Sequence, residues 1–357
     1  MAFAFPTRDL WQTLLEDPRP KVIYGMGDGA DKLILHMQEK GIAYADIFAS
    51  DGFVRGQTFH GKKVLSLSEV EERYDDFIVL VSFATRLPEV IENIKRIAMR
   101  HPLFVPDMPV YGNTYFDLPF CLAHKEEIEQ VAELWADQRS KEVYIASVLG
   151  KLTGDLSSLL SSCDGFREGL SLLPLDRFKV TVDAGAYRGD TADELLSLAP
   201  CVKKIIAIEP DAHTYLRLVR YAEAETRAEV IPHKGAAWSK PAVLSFFGKG
   251  NRGSHAKGKG EATEVSGIPI DDLCVGETVD YIKFDVEGAE KEALMGAVNT
   301  IHKDRPAILL SLYHRAEDLF ALPLLLSSLC PHYDFYLRRE YCLPLWELNL
   351  LAIPKFV

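Results

Sequence analysis

The chain lacks the features typical of a membrane, secreted or nucleic-acid-binding protein. No run of about 18 apolar residues occurs, so no membrane-spanning helix is predicted. The six cysteines form no C-x-x-C pair, which argues against a zinc site or a disulfide framework. The net charge of −12 would repel nucleic acid and anionic membranes. The first residues lack the basic start and apolar run of a signal peptide. We therefore expect a cytoplasmic protein with no nucleic-acid partner.

The composition and the order of patterns predict an α/β protein with more than one domain. With 357 residues, 48% apolar, the chain can build two full cores. Strand and helix patterns alternate over residues 21–110, with KVIYGMG, ADIFASD and FIVLVSF as strands, which is a βαβαβ arrangement. Residues beyond this unit show helical spacing and almost no strand pattern. We divide the chain into a Rossmann-like domain (1–112), a helical connector (113–178) and a second α/β domain (179–357).

Seven strands are predicted in the second domain. They cover residues 180–183, 205–209, 229–232, 281–285, 307–312, 334–337 and 349–353, with helical segments between the first five. The stretch between the last two strands is too short for a crossover helix, so these two strands are expected to pair antiparallel. A doubly wound sheet of seven strands with an antiparallel last strand is the layout of the class I methyltransferase fold.

Two neighbouring stretches of the second domain predict a nucleoside-binding site. In VTVDAGAYRGDT, residues 180–191, a strand ends at Asp183 and turns through Gly185 and Gly189. In IIAIEPD, residues 205–211, the next strand ends at Glu209. A glycine turn lets the backbone approach a ligand, and a carboxylate at the next strand tip can accept hydrogen bonds from a ribose diol. The turn is wider than G-x-G-x-x-G, which favours the amino-acid end of S-adenosylmethionine over a pyrophosphate. The alternative is a structural turn followed by a surface acid.

We take seven residues of these strand ends as cofactor-binding candidates. Pro210 makes the loop after Glu209 rigid. Ala237, after the third strand, either leaves room for an adenine ring or packs tightly. The candidates are Asp183, Gly185, Ala186, Gly189, Glu209, Pro210 and Ala237.

The catalytic candidates are Asp285, Glu287 and His314, at the ends of the fourth and fifth strands. A carboxylate there can take a proton from an acceptor hydroxyl, or it can cap the following helix. Histidine is the usual base near neutral pH, although a lone histidine at a strand end is often structural. Lys283 shares a face with Asp285, so a buried ion pair is an alternative to catalysis. Tyr313 is expected on the strand face opposite to His314. The pattern requires no metal.

These motifs resemble the FkbM family of S-adenosylmethionine-dependent O-methyltransferases. The resemblance covers roughly residues 130–357 and is carried by VDAGAYRGDT, IEPD, IPIDDL, LYHRAEDL and, most specifically, IKFDVEGAEKEALMGA. It implies methyl transfer to a hydroxyl of a sugar, a polysaccharide precursor or a related small molecule. Where many members have Arg-His-Tyr, this chain has Arg339-Glu340-Tyr341, so no role for a histidine there is carried over.

Other features of the sequence keep alternatives open. The first domain carries a G-x-G-x-x-A turn from Gly25, with Asp51 at the next strand tip, which permits a nucleotide-sugar or NAD(P) enzyme. Asp28 inside that turn opposes anion binding, so we expect the domain to orient the acceptor or make homodimer contacts instead. A non-catalytic binding protein with the same fold is a further alternative. The basic stretch at residues 249–255, including Asn251 and Ser254, either closes over an anionic acceptor or is a solvated loop.

Overall fold

The computed structural model describes residues 4–164, 166–246 and 263–355. The basic stretch at 249–255 lies outside these residues. The first part of the chain alternates helices and strands, as its pattern predicts. Its elements are α1 (Leu10–Glu16), β1 (Lys21–Tyr24), α2 (Asp28–Glu39), β2 (Asp46–Phe48), β3 (Thr58–Phe59), β4 (Lys62–Leu65), α3 (Leu67–Arg73), β5 (Ile78–Val81), α4 (Pro88–Ala98) and β6 (Leu103–Phe104).

These strands form a six-stranded sheet in the order β3-β4-β2-β1-β5-β6. All neighbours pair parallel except β3 and β4, which form an antiparallel hairpin. The three predicted strands are its central members, and every residue of β1, β2 and β5 is buried. The sequence analysis missed β3, β4 and β6. Two of them are only two residues long and all three lie away from the centre, so they lack a sustained apolar run.

Helices are the main regular structure of the connector, and its described residues between 113 and 178 contain no strand. Its longest helix, α7, begins after the capping side chain of Asp137 and ends at Gly154, whose φ of 63° suits glycine. The connector helices are α5 (Leu118–Ala123), α6 (Lys125–Ala132), α7 (Gln138–Thr153), α8 (Leu156–Ser161) and α9 (Phe166–Leu170).

The last part of the chain contains the predicted seven strands and three that were not predicted. Its elements are β7 (Val180–Ala184), α10 (Asp190–Leu198), β8 (Lys204–Glu209), α11 (Ala212–Ala224), β9 (Glu229–Lys234), β10 (Ala236–Ala237), β11 (Ala242–Phe246), β12 (Thr263–Ile268), α12 (Ile270–Leu273), β13 (Tyr281–Phe284), α13 (Glu290–Met295), α14 (Val298–Asp304), β14 (Ala307–Ser311), α15 (Asp318–Leu329), β15 (Tyr333–Arg339) and β16 (Leu348–Pro354).

The large sheet has the strand order β15-β16-β14-β13-β7-β8-β9. Strand β16 lies between β14 and β15 and is antiparallel to both, as the short connection before it predicts. The remaining pairs are parallel. The carboxyl ends of β7, β8, β13 and β14 therefore meet at one edge of the sheet, where ligands of open α/β sheets bind.

One predicted connection is wrong. Between β9 and β13 the chain forms a three-stranded sheet, in the order β10-β12-β11, and then the short helix α12 instead of a crossover helix. A period-2 pattern was available in β12, where Val265 and Gly267 are buried while the intervening Glu264 and Ser266 are exposed. The glycine-rich stretch beside this strand obscured the pattern.

The three parts of the chain share one hydrophobic cluster. It contains Tyr24 of the first sheet, Tyr144 of the connector, and Phe284 and Leu310 of the large sheet. The two sheets also meet at a backbone bridge in which Thr85 and Leu343 exchange hydrogen bonds of 2.7 and 2.9 Å. All six cysteines are free thiols. Within the described residues, no helix combines the length and apolar character needed to cross a membrane.

Candidate active site

A cavity of about 810 Å³ opens at the carboxyl edge of the large sheet. Seven of the ten candidate residues line it: Asp183, Gly185, Glu209, Pro210, Ala237, Asp285 and Glu287. The structure therefore brings together side chains that are about 100 positions apart in sequence. Three candidates, Ala186, Gly189 and His314, lie outside the lining.

The glycine turn after β7 allows close approach of two backbone segments. Gly185 has a φ of 86°, and a Cβ there would lie 1.8 Å from the carbonyl oxygen of Asp285. Gly189 has a φ of 92°, and its Cβ would lie 2.3 Å from the ring of Tyr221. Ala186 is fully buried and donates its N–H to Ile208. Gly185 thus lines the cavity directly, whereas Gly189 and Ala186 stabilise the turn without lining the cavity.

The buried carboxylate of Asp183 faces the cavity with one oxygen committed and one available. Its Oδ2 accepts a hydrogen bond of 2.5 Å from the hydroxyl of Thr191, at the start of α10. Its Oδ1 has no hydrogen-bond partner among the described residues, and Lys283 Nζ lies 3.5 Å away. A buried acceptor without a donor is costly, so this oxygen fits a ligand that brings a positive donor.

Glu209 lies buried at the tip of β8 and also lines the cavity. Its Oε1 accepts a hydrogen bond of 2.8 Å from the backbone N–H of Asp211. Burial, together with the neighbouring Asp211 and Asp183, raises the pKa of Glu209 to about 8. Hydroxyl donors at this carboxylate would favour its charged form.

Lys283 and Tyr313 surround the carboxylate of Asp285. Lys283 Nζ lies 3.3 Å from Asp285 Oδ2, so the two form the ion pair that was the alternative to catalysis, although both side chains are only partly buried. Although burial opposes its charge, Lys283 and His314 hold the pKa of Asp285 below its usual value. The hydroxyl of Tyr313 donates to Asp285 Oδ1 at 3.3 Å, so its predicted position on the opposite face is wrong. Strand β14 ends at Ser311, and the alternation of side chains does not continue to Tyr313.

His314 is buried next to the cavity, outside its lining, and contacts three carboxylates. Its Nδ1 is 2.8 Å from Glu290 Oε1, a contact without the alignment of a hydrogen bond. Its Nε2 is 3.5 Å from Asp285 Oδ1 and 3.6 Å from Glu287 Oε2. Burial disfavours the charged ring, but Glu290, Glu287 and Asp285 together raise the pKa of His314 to about 10. The ring is therefore an imidazolium near neutral pH, which disfavours its predicted role as a general base.

Glu287 projects into the cavity from a strained turn. Its φ of 52° is left-handed, which costs free energy for a residue with a Cβ. Burial and the nearby carboxylates of Asp285 and Glu290 raise the pKa of Glu287 to about 7, against the opposing effect of His314. This carboxyl group lines the cavity and titrates near neutrality, which suits a general base.

Glu290 is a functional candidate outside the ten residues predicted from the sequence. It is the first residue of α13 and only 1% exposed. Its Oε1 accepts from the backbone N–H groups of Val286 and Gly288, at 2.9 and 3.3 Å. It thereby holds the turn that carries Glu287. The sequence signal for this role was a glutamate at the first residue of the helix, three positions after Glu287, where its side chain can bond to the preceding turn.

Asp285, Glu290 and His314 each offer one ligand atom to a metal ion, all within 4.8 Å of one another. The cationic groups of Lys283 and His314 already contact these carboxylates. The cluster therefore balances its charge without a metal, and the absence of a metal site remains a prediction.

The first domain contributes residues to the cavity wall that sequence reasoning did not identify. Arg86, after β5, lines the cavity and forms an ion pair with Glu347. Tyr111 packs its ring against Gly288 and donates its backbone N–H to the carbonyl oxygen of His314 at 2.9 Å. No local pattern marks these residues, because their role depends on how the two sheets dock.

Comparison with known proteins identifies part of the chain. Residues 183–340 match the family model of the methyltransferase FkbM domain. This confirms the predicted resemblance for that region, which contains every candidate site residue. No curated protein matches the sequence.

The fold of the FkbM region and of the parts around it has a solved counterpart. The FkbM methyltransferase of Methylobacillus flagellatus KT matches with a TM-score of 0.70 and 21% identity, over 98% of this chain and 94% of that one. At this identity the likeness shows the fold alone. The match nevertheless extends over the first sheet and the connector as well as the FkbM region.

Two other structures match less well. Fibrillarin of Aeropyrum pernix with bound S-adenosyl-L-methionine matches with 14% identity and a TM-score of 0.34, over 51% of this chain and 69% of that one. A putative caffeoyl-CoA O-methyltransferase of Staphylococcus aureus matches with 12% identity and a TM-score of 0.36, over 66% of this chain and 100% of that one. These TM-scores are too low to support an argument.

Proposed function

We propose that this protein is an S-adenosylmethionine-dependent O-methyltransferase acting on a hydroxyl of a sugar, polysaccharide precursor or related small molecule. The observation that carries the proposal is the joint presence of Asp183, Glu209 and the Gly185 turn in one cavity, within the FkbM region. That cavity also contains Asp285 and Glu287, so the donor-binding and proton-accepting groups open into the same space.

The donor half of the cavity fits S-adenosylmethionine chemically. The available Oδ1 of Asp183 would accept from the ammonium group, and Glu209 would accept from the ribose hydroxyls. Ile208, Ala237, Trp238 and Leu244 line the same cavity and provide an apolar surface for the adenine ring. When bound, S-adenosylmethionine supplies an electrophilic methyl group on a sulfonium.

The acceptor half would remove the hydroxyl proton. Glu287 is our candidate for the general base, because it lines the cavity and its pKa of about 7 matches neutral conditions. As an imidazolium, His314 would stabilise the negative charges of Asp285 and Glu287. Lys283 would keep Asp285 ionised as a hydrogen-bond acceptor for the hydroxyl.

We further propose that the first domain is Rossmann-like but binds no dinucleotide. The strand order β4-β2-β1-β5-β6 supports the first part. For the second part, Phe83 packs onto the glycine turn, since a Cβ on Gly25 would lie 2.6 Å from its ring. Asp28 is the first residue of α2, where its charge opposes a phosphate. The domain boundaries, the cytoplasmic location and a homodimer remain predictions.

Isothermal titration calorimetry with S-adenosylhomocysteine tests the proposal. We expect one binding site per chain, with no heat from NAD or UDP-glucose under the same conditions. Binding of NAD or UDP-glucose without S-adenosylhomocysteine would instead favour a nucleotide-linked enzyme run by the first domain. A chain that binds S-adenosylhomocysteine yet never turns over an acceptor would be a binding protein with this fold.

A further inference from the structure

The acceptor end of the cavity carries an excess of carboxylates. Eleven acidic and six basic side chains line the whole cavity among the described residues. Beyond Asp285 and Glu287, the end nearest the first domain adds Glu340 and Glu347, both from the loop between β15 and β16. An anionic ligand would therefore enter a region that is already negative.

Four arginines that line the cavity already bind protein partners. Arg86 pairs with Glu347, and Arg338 forms a 2.6 Å ion pair with Asp137. Arg339 is 1% exposed and donates to the carbonyl oxygens of Leu159, Cys342 and Pro344. Arg315 donates to the carbonyl oxygen of Gly288 at 2.7 Å and lies over the ring of Tyr111. These four arginines support the walls of the cavity and are not arranged as an anion clamp.

Glu340, in contrast, has no hydrogen bond or ion pair to its side chain among the described residues. Burial and the neighbouring Glu347 raise the pKa of Glu340 to about 7, although Arg86 opposes the shift. The ionised form of Glu340 only accepts hydrogen bonds, so a ligand that stabilises this form must donate them.

Hydroxyl and ammonium groups meet this requirement, whereas carboxylate and phosphate groups do not. We infer that the acceptor presents hydrogen-bond donors to Glu340 and Glu347, as a polyol that is neutral or carries an amine and is not an anion. This inference rests on the proposed function and specifies its substrate class. It opposes the anionic acceptor that the basic stretch at 249–255 raised as one option.

The first domain takes part in this recognition through Arg86. The bridge between Thr85 and Leu343 places the Arg86 guanidinium against Glu347. Arg86 therefore neutralises Glu347 and leaves Glu340 as the carboxylate of the two with no ion pair among the described residues. Its removal should make the acceptor end more negative and should increase the preference for a cationic ligand.

Ligand-observed NMR tests the inference with glucosamine, glucose and glucuronate as probes, on the full chain saturated with S-adenosylhomocysteine at pH 7. We expect glucosamine to bind about fivefold tighter than glucose, and glucuronate to bind weakest. Glu340→Gln should abolish the difference between glucosamine and glucose. Arg86→Gln should enlarge the difference in affinity between glucosamine and glucose. If the site instead bound an anionic acceptor, Arg86→Gln would abolish glucuronate binding. The control, Glu277→Gln, changes a half-buried carboxylate outside the cavity.

The outcomes separate this inference from the proposed function. Glucuronate as the tightest probe, or no binding by any probe while S-adenosylhomocysteine binds, would overturn the acceptor class and leave the methyltransferase assignment intact. Loss of the glucosamine preference in Glu277→Gln as well as in Glu340→Gln would also overturn it, since the effect would not belong to this end of the cavity. Failure of S-adenosylhomocysteine itself to bind would overturn the proposed function.

Discussion

The imidazole of His314 and the carboxylate of Glu290 form a buried pair, with Nδ1 and Oε1 2.8 Å apart. The same oxygen of Glu290 accepts from two backbone N–H groups of the turn that carries Glu287. One buried oxygen thus links the charge state of the histidine to the shape of the turn that carries Glu287. Removing this pair should change both the pKa of His314 and the conformation of the turn that carries Glu287.

We predict that Glu290→Gln lowers the pKa of His314 and destabilises the fold. The folded-state pKa of about 10 depends first on Glu290 among the groups that raise it. Removing one partner of a buried ion pair typically costs about 3–5 kcal/mol. The pKa is measured by NMR of ¹³C-labelled histidine, with His314→Gln to assign the signal, and the stability by urea denaturation.

Glu317→Gln is the matched control, because Glu317 is half-exposed and contacts Arg315 instead of His314. Glu317→Gln should leave both the pKa of His314 and the stability of the fold nearly unchanged. An unchanged His314 titration in Glu290→Gln would contradict the pairing.

We predict that Asp183→Asn weakens S-adenosylhomocysteine binding about 10- to 100-fold. The substitution removes the negative charge whose Oδ1 faces the cavity, and a hydrogen bond to a charged group contributes about 1.5–3 kcal/mol. Calorimetry gives the dissociation constant. Asp193→Asn, on the exposed side of α10, is the control and should bind as the native chain does. Equal affinities for the two variants would exclude Asp183 from the donor site.

We predict that Gly185→Ala damages the cavity far more than Gly276→Ala. Both glycines have a positive φ, 86° and 83°, so each substitution carries a backbone strain of about 1–2 kcal/mol. Only at Gly185 would the new Cβ meet a backbone oxygen, 1.8 Å away, whereas Gly276 has nothing within 4 Å. Thermal melting and S-adenosylhomocysteine titration compare the two. Similar losses of affinity would show that the turn does not shape the donor site.

We predict that the unliganded protein becomes less stable as the pH rises from about 5 to 8, and that Glu209→Gln reduces this slope. Burial raises the folded-state pKa of Glu209 from 4.5 to about 8, so between these values the folded state holds a proton that the unfolded state has lost. Stability then falls with pH by up to about 1.4 kcal/mol per unit for this group. Urea denaturation at several pH values measures it, and an unchanged slope would contradict the burial of an uncompensated carboxyl group.

The sequence alone predicted the central strands of both sheets and most of the proposed donor site. The apolar runs ending at Asp183, Glu209 and Asp285 predicted three central strands, because buried parallel strands need continuous apolar residues. The rule that ligands bind at the carboxyl edge then placed these acids together. The family resemblance, confirmed for residues 183–340, added the expected chemistry.

Only the tertiary structure decided how the proposed acceptor half is built. Glu290, Arg86 and Glu340 reach this region through docking of the two sheets and through a turn with left-handed backbone, which no local periodicity encodes. The role of His314 also depended on three-dimensional surroundings. A histidine by itself suggests a base, but three carboxylates within 3.6 Å make it a buried cation. Electrostatic character follows from distance in space, and sequence separation carries almost no information about that distance.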